Sequence, residues 1–525
     1  MLKFFNTAGP VNGKNHYCLP PLERINLKEI MTLIEQEKYF VLHAPRQTGK
    51  TTTLLALMQY FNTEGKYKAI YINVEKGQSA REDVYRGIRS VLGEIASSAR
   101  DTLHDEFPLQ NMKEILELWG EDSALNEMLC SWSKNNEKSL VIFIDEIDSL
   151  IGDTLISVLR QIRSGYHKRP KEFPLSIILC GVRDVRDYRI HSSKEKTIIT
   201  GGSAFNIKAE SLRVGNFSKE ELIKFYNYHT QETGQIFEEN SIELAWELTQ
   251  GQPWLINALA YEVCFKMEEG RDRSNPITTE MIFQAKENLI LRRETHLDQL
   301  VDKLREERVH SVISAILSGI EDPKDISVDD IYYARDLGLI KVNGKMMIAN
   351  DIYKEIIPRE LIYPTQVTIS KDSIWYVNKD GSLNMDKLMT SFQEFFREHS
   401  ESWIERFQYK EAGPQLLLQA YLQRIVNSDG IVNREYGLGM MRTDLMVVWK
   451  YGEEKQKIVI ELKILHKSLR STIEKGLMQT SEYLDKCGAL EGHLVIFDRT
   501  KKRWSQKIFR KEKIFENKKI IVWGM

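Results

Sequence analysis

Hydrophobic positions along the chain change their period several times. Up to about residue 210, short apolar runs alternate with stretches of helical period: Tyr39–Ala44 then Gly49–Glu64, Ala69–Val74 then Ala80–Ser98, and further runs at Leu140–Asp145 and Leu175–Gly181. Unbroken apolar runs of this length suit strands buried on both faces, and the helices between them supply the crossovers of a parallel sheet. From about 217 to 292 the pattern is all helical. Ser218 reads as an N-cap with Glu221 three residues on, opening a helix to Glu232, and a second helix is predicted at Leu255–Met267. Between about 296 and 360, helices near Arg308–Leu317 and Ser327–Leu337 precede two short strands, Leu339–Val342 and Met346–Ala349. Asn343-Gly344 between them is a hairpin signal, and the whole reads as a winged helix. Mixed α and β patterning returns over 385–525.

Composition narrows the classes. The 525 residues suffice for three or four domains at about 100–200 residues each. A net charge of −2 excludes a chain that is polybasic throughout, and leaves room for local basic patches. No apolar run approaches the roughly 20 residues needed to span a bilayer. Met1–Pro10 lacks a basic segment followed by an apolar one, so no secretory leader and a cytoplasmic protein are expected. The five cysteines are far apart and no pair has metal-ligand spacing, so buried, reduced thiols are expected.

The first chemistry lies at His43-Ala44-Pro45-Arg46-Gln47-Thr48-Gly49-Lys50-Thr51-Thr52, which follows an expected strand and opens an expected helix. Backbone N–H groups of such a loop and the helix start cradle phosphates, Lys50 reaches the β- and γ-phosphates, and Thr51 ligates Mg²⁺. Ala44 stands where the usual pattern has its first glycine, which is tolerable if that position does not need a positive φ. Leu140–Asp145 followed by Glu146 describes a buried strand with an acidic pair at its carboxyl end, where open α/β sheets bind ligands. Asp145 is expected to hold Mg²⁺ through water, and Glu146 to polarise the attacking water. Arg183, at the end of the next strand, is either a γ-phosphate sensor or a structural arginine paired with Asp184 or Asp187. Arg186 and Arg189 are open candidates for fingers acting in trans.

With Gly251-Gln252-Pro253-Trp254 in the helical block ahead of the winged helix, residues 15–360 resemble the AAA-like ATPases related to the signal-transducing (STAND) class. The resemblance implies a helical lid whose Gly-x-Pro packs near the nucleotide and couples it to the winged helix. It also implies a base-contacting role for Tyr17-Cys18-Leu19-Pro20-Pro21-Leu22-Glu23-Arg24. The candidate recognition helix of the winged unit carries Asp329, Asp330 and Asp336 against Arg335. Those acids would repel phosphates, so a lever role is expected there rather than DNA reading.

A second constellation lies near the end. Thr443–Trp449 reads as a strand carrying Asp444, and Lys457–Lys463 as the next strand of a hairpin, with Glu461 and Lys463 on one face. Two carboxylates on adjacent strands make an oxygen-rich site for Mg²⁺ or Mn²⁺, and a lysine beside them can orient water and stabilise charge on phosphorus. Gln479 and Tyr483 share a helix face downstream. Glu411 is either a further carboxylate ligand or a helix-start charge. This order resembles the PD-(D/E)XK nuclease fold over about residues 385–500, and Gln479-x-x-x-Tyr483 is similar to a motif of its RecB-like members. A solvated hairpin rim and an inactive nuclease fold remain open. Beyond it, ten cations (Arg499, Lys501, Lys502, Arg503, Lys507, Arg510, Lys511, Lys513, Lys518, Lys519) face only Glu512 and Glu516, interleaved with Trp504, Phe509 and Phe515. That mixture suits nucleic-acid phosphates, or a solvated charged face.

The expectation is thus an α/β protein: a P-loop parallel-sheet ATPase with a helical lid and winged helix, and a C-terminal mixed α/β PD-(D/E)XK nuclease-like domain. The expected boundaries are 1–215 for the ATPase core, 216–295 for the lid, 296–361 for the winged-helix-like unit, 362–384 for a linker and 385–525 for the nuclease-like domain with its basic segment. Expected cofactors are ATP and Mg²⁺, with Mn²⁺ an option at the second site. Expected partners are nucleic acid, DNA ahead of RNA, and further copies of the chain, with no membrane. The reading is a nucleotide-regulated, metal-dependent nuclease of prokaryotic defence or DNA processing. Its rivals are an ATP-switched scaffold that binds nucleic acid without cutting, and a DNA-repair or mobile-element ATPase.

Overall fold

The computed structural model describes residues 2–184, 189–192, 197–292, 295–317, 326–357, 376–407, 418, 421–422, 430–438, 441–451, 454–465, 468–498, 500 and 502–525. The chain forms two compact units: residues 1–298 with 327–353, and residues 299–326 with 354–525. The stretch read as a winged helix is divided between them. Helix Glu307–Leu317 belongs with the second unit, whereas helix Val328–Asp336 and the hairpin after it belong with the first.

In the first unit, β1 (Tyr39–His43), β2 (Lys68–Asn73), β3 (Leu140–Asp145) and β4 (Ser176–Gly181) lie within a residue or two of the apolar runs. A small antiparallel pair follows, β5 (Arg189–Ser192) and β6 (Thr197–Thr200), and then β7 (Lys208–Arg213). The main sheet is wholly parallel, in the order β2-β3-β4-β1-β7. β1, β3 and β4 are buried at every position, as strands covered by helices on both faces must be. Alternate residues of β1 feed two cores. Tyr39 and Val41 pack with helix Val84–Leu103 and its neighbours, while Phe40 and Leu42 pack with Leu54, Leu57 and Phe61 of helix Lys50–Glu64.

The helical block opens at the residue read as its N-cap. Ser218 caps helix Lys219–Thr233, with Glu221 completing the capping box. After helix Glu239–Thr249, Gln252 caps helix Pro253–Tyr261 through the Leu255 N–H, 2.6 Å away, with Pro253 in the first turn. Gly251 has φ of 78°, and a Cβ there would come within 2.1 Å of the Phe217 carbonyl, so the Gly-x-Pro turn needs its glycine for close backbone packing. Helix Val328–Asp336 is followed by β8 (Ile340–Asn343) and β9 (Lys345–Ile348), which pair around Gly344 as the hairpin signal required.

The second unit is built on a six-stranded mixed sheet of β10 (Gly430–Leu438), β11 (Met441–Tyr451), β12 (Glu454–Ile464), β13 (Glu491–Phe497), β14 (Phe509–Phe515) and β15 (Lys518–Gly524), in the order β10-β11-β12-β13-β15-β14. β10, β11 and β12 form an antiparallel meander, and β12, β13 and β15 run parallel. Ile458, Ile460 and Leu462 pack towards helix Met385–Phe407, and Val459 towards helix Leu469–Cys487. Tyr376 and Val377, read as part of a linker, pack on the first of these cores; residues 362–375 lie outside the described residues. Among the described residues no helix is long and apolar enough to cross a membrane.

Candidate functional site

The loop between β1 and helix Lys50–Glu64 stands at the carboxyl edge of the parallel sheet, where the strands direct their ends. Gln47 and Gly49 take the left-handed turns, with φ of 58° and 96°; Ala44 has no positive φ and is fully buried, so its methyl group is accommodated. The Thr48 hydroxyl donates to the Pro45 carbonyl, 2.8 Å away, and the buried Lys50 ammonium donates to the carbonyls of Ala44 (3.0 Å) and Pro45 (3.1 Å). Arg46 and Thr52 complete the stretch, and the Thr52 hydroxyl accepts the Val11 N–H at 3.2 Å.

β3 delivers Asp145 beside Thr51. The Thr51 hydroxyl donates to Asp145 Oδ2 at 2.7 Å, the Tyr71 hydroxyl donates to the same oxygen at 3.0 Å, and the Glu146 N–H donates to Oδ1 at 2.9 Å. Glu146 follows in the left-handed conformation, with φ of 55°. Burial, then the neighbouring Asp148, raises its carboxyl above the usual range. Burial raises the Tyr71 phenol well above its ordinary value, so it acts as a donor. Thr51 and Asp145 are a hydroxyl and a carboxylate in contact, the hard oxygen set that suits Mg²⁺.

Arg183 lies at the same sheet edge and is nearly buried. Its guanidinium is 3.7 Å from Asp329 and 3.9 Å from Asp336, and sits 4.7 Å over the Tyr333 ring. All three belong to helix Val328–Asp336. Asp184 is ion-paired with Lys208 of β7, and Asp187 and Arg186 lie outside the described residues. Just beyond that helix, a Cβ on Gly338 would come within 2.9 Å of Pro45, and Lys341 donates to Gln250 of the lid at 2.9 Å. The helix and hairpin are therefore seated against both the phosphate loop and the lid. The acids read as unfit for DNA have a local task, which is to hold an arginine.

A cleft of about 110 Å³ opens beside the loop, lined by Val11, Tyr17, Pro21, Gly49, Trp254 and Asn257 among others. Its far wall is an N-terminal strap. Trp254 Nε1 donates to the Thr7 carbonyl at 2.8 Å, and Asn257 Oδ1 accepts the Asn6 N–H at 3.1 Å. Arg24 donates to the carbonyls of Thr48 (3.3 Å) and Gly215 (2.8 Å) with its guanidinium 4.4 Å over Phe217, which ties the loop to the start of the lid. Sequence reasoning missed Tyr71, which looks like an ordinary strand aromatic, and the strap, which has no periodicity.

In the second unit, Glu461 and Lys463 of β12 form an ion pair, and Glu461 is almost fully buried. Leu445 of β11 pairs with Ile460 in an antiparallel register; Asp444 is the residue before Leu445 and Glu461 the residue after Ile460. Gln479 and Tyr483 lie on helix Leu469–Cys487, with Tyr483 in the core that also holds Val459 and Met446. Glu411 and most of the helix expected at 415–426 lie outside the described residues, and among those described no cluster of three metal-ligating side chains occurs. The basic segment is partly neutralised. Lys502 pairs with Asp498, Arg510 with Asp386, Lys518 with Asp485 and Lys519 with Glu512. Lys511 and Lys513 are exposed on the edge strand β14.

A parallel sheet that brings a phosphate loop with Lys50 and Thr51 onto Asp145 at its carboxyl edge defines a P-loop nucleotide-binding domain. Residues 34–188 match the family model described as an AAA domain, so the chain carries an AAA-type P-loop ATPase domain. No curated protein matches the chain. Solved structures similar to it include the Walker-type ATPase of Pyrococcus abyssi, at 16% identity over 67% of this chain and 99% of that one, with a TM-score of 0.46. The Thermotoga maritima RuvB Holliday junction branch migration motor is similar at 14% identity over 64% and 96%, TM-score 0.33. Cdc6p from Pyrobaculum aerophilum is similar at 16% identity over 66% and 96%, TM-score 0.35.

Proposed function

We propose that the chain is an ATP-hydrolysing, nucleotide-regulated, metal-dependent nuclease. The observation that carries the ATP half is the convergence of Lys50, Thr51, Asp145 and Glu146 at one sheet edge. Bound Mg²⁺ would neutralise phosphate charge, held by Thr51 directly and by Asp145 through water. Lys50 would exchange its two loop carbonyls for the β- and γ-phosphates, and Glu146, its carboxyl raised by burial, would take the proton of the attacking water. The Lys50→Ala variant should lose at least about tenfold in affinity for a fluorescent ATP analogue, because removing a charged hydrogen-bond partner is worth about 1.5–3 kcal/mol. Unchanged affinity in a titration would count against the site.

Regulation would run through Arg183. In the described arrangement it is held by Asp329 and Asp336, the residues of a helix that also abuts the phosphate loop. A γ-phosphate would compete with those acids for the guanidinium, so binding of ATP would loosen the helix and hairpin. The Asp329→Asn variant removes one competitor at a half-buried position. Affinity for a fluorescent ATP analogue should then rise by about fivefold or more, the usual lower bound of a coupling free energy, while affinity for the ADP analogue, which has no γ-phosphate, stays the same. An unchanged ATP affinity would mean that this ion pair does not compete with the γ-phosphate.

The nuclease half is supported by Glu461 and Lys463 on a strand beside the one carrying Asp444, and by the helix with Gln479 and Tyr483 packed on the same face as Val459. Glu461 offers the hard oxygen a divalent ion needs, and Lys463 a cation to stabilise charge building on phosphorus. DNA ahead of RNA, with Lys511 and Lys513 as backbone contacts, assembly of several copies and a role in defence or DNA processing complete the reading.

A further inference from the structure

Strand β2 reads Lys68-Ala69-Ile70-Tyr71-Ile72-Asn73, and a phenol stands at its centre, where a strand between helices needs only an apolar side chain. In the parallel register Tyr71 is level with Phe143, and Asn73 with Asp145. The Tyr71 ring therefore runs towards the end of β3, two residues up, and its hydroxyl meets the Asp145 carboxylate at 3.0 Å. Nothing about the β2 strand itself requires that contact.

The acceptor capacity of Asp145 gives the contact a consequence. An ionised carboxylate offers about two acceptor directions on each oxygen. Oδ2 takes two hydroxyl protons, one from Thr51 at 2.7 Å and one from Tyr71, while Oδ1 takes the Glu146 N–H at 2.9 Å. The fully buried Cys180 thiol of β4 also hydrogen-bonds to this carboxylate, as a weak donor that a stronger one can displace. Oδ2 is occupied by the two hydroxyls, so a metal-bound water would donate to Oδ1. Among the three stronger donors, Tyr71 is the one that belongs neither to the phosphate loop nor to the strand carrying the acid. The Thr51 hydroxyl can keep its proton on Asp145 while turning its lone pair to a cation, provided Asp145 does not rotate away. A neutral phenol secures that without cancelling the charge that attracts the cation.

Resting on the reading of this edge as an Mg²⁺–nucleotide site, we infer that Tyr71 is a positioning residue for the metal, holding Asp145 so that one oxygen serves Thr51 and the other receives a metal-bound water. The test uses the full chain and the Tyr71→Phe variant, which keeps the ring and removes the donor. Affinity for a fluorescent ATP analogue is measured in EDTA and across a series of MgCl₂ concentrations, with Thr51→Ala alongside. Wild type and Tyr71→Phe should bind equally in EDTA, with the Mg²⁺ concentration for half-maximal effect raised about tenfold or more in the variant, the usual size of the loss when an outer partner of a metal ligand is removed. At saturating Mg²⁺ the variant should keep the KM for ATP and show a reduced kcat. A Tyr71→Phe curve that overlays the wild type overturns the assignment of Tyr71. A wild type that binds no nucleotide at any Mg²⁺ concentration overturns the nucleotide site itself. A lowered melting temperature in EDTA, with an unchanged Mg²⁺ response, assigns Tyr71 to packing and also overturns the proposal.

Discussion

The Glu146→Gln variant should bind ATP and turn it over at least about a hundredfold more slowly than the wild type, the contribution expected of a positioned general base. Glu146 follows Asp145 at the end of β3 in a left-handed conformation, with its N–H committed to Asp145. Its carboxyl is half-buried and raised above the usual range, first by burial and then by Asp148. A raised value makes it a better proton acceptor once ionised. The direction fixes the pH dependence: activity is full above the raised value and falls as pH drops through it, so the acid limb of kcat lies above that of an ordinary glutamate. In Glu146→Gln that limb should disappear from the residual rate. Wild-type turnover in the variant would remove Glu146 from the mechanism.

The Asp444→Ala variant should lose metal-dependent phosphodiester cleavage by about a thousandfold or more, since a catalytic cation supplies several kcal/mol of charge stabilisation. ATP hydrolysis should persist, because Asp444 belongs to the unit built on the mixed sheet and Lys50, Thr51 and Asp145 to the other. Lys463→Ala should retain metal binding with about a hundredfold slower cleavage, the cost of removing one donor aimed at developing charge. Parallel loss of cleavage and ATP hydrolysis in Asp444→Ala would contradict the division of labour.

The strands that carry the nucleotide site were legible because β1, β3 and β4 are buried on both faces and therefore read as unbroken apolar runs. Ser218 and Gly344 were legible because a capping box and a hairpin turn each depend on side chains a few residues apart. β7 was not. Lys208-Ala-Glu-Ser-Leu-Arg213 is an edge strand in which four of six residues are polar, so it has no hydrophobic period to read. Tyr71 was missed because its partner lies 74 residues along the chain. For Arg183 the sequence suggests phosphate, or Asp184 and Asp187, as partners. Asp329 and Asp336, about 150 residues away, come to it only through the packing of their helix on the sheet edge. Thr51 and Asp145 meet across 94 residues and were still readable, because each sits in a recognisable local motif; Tyr71 and the acid partners of Arg183 sit in none.

The most direct test of the whole account is cleavage of labelled single- and double-stranded DNA by the purified full chain in Mg²⁺ or Mn²⁺, with and without ATP, beside Lys50→Ala. The account predicts divalent-dependent cleavage whose rate changes with ATP in the wild type and does not respond to ATP in Lys50→Ala. Steady ATP hydrolysis with no cleavage of either DNA or of RNA, under any metal or nucleotide condition, would contradict it.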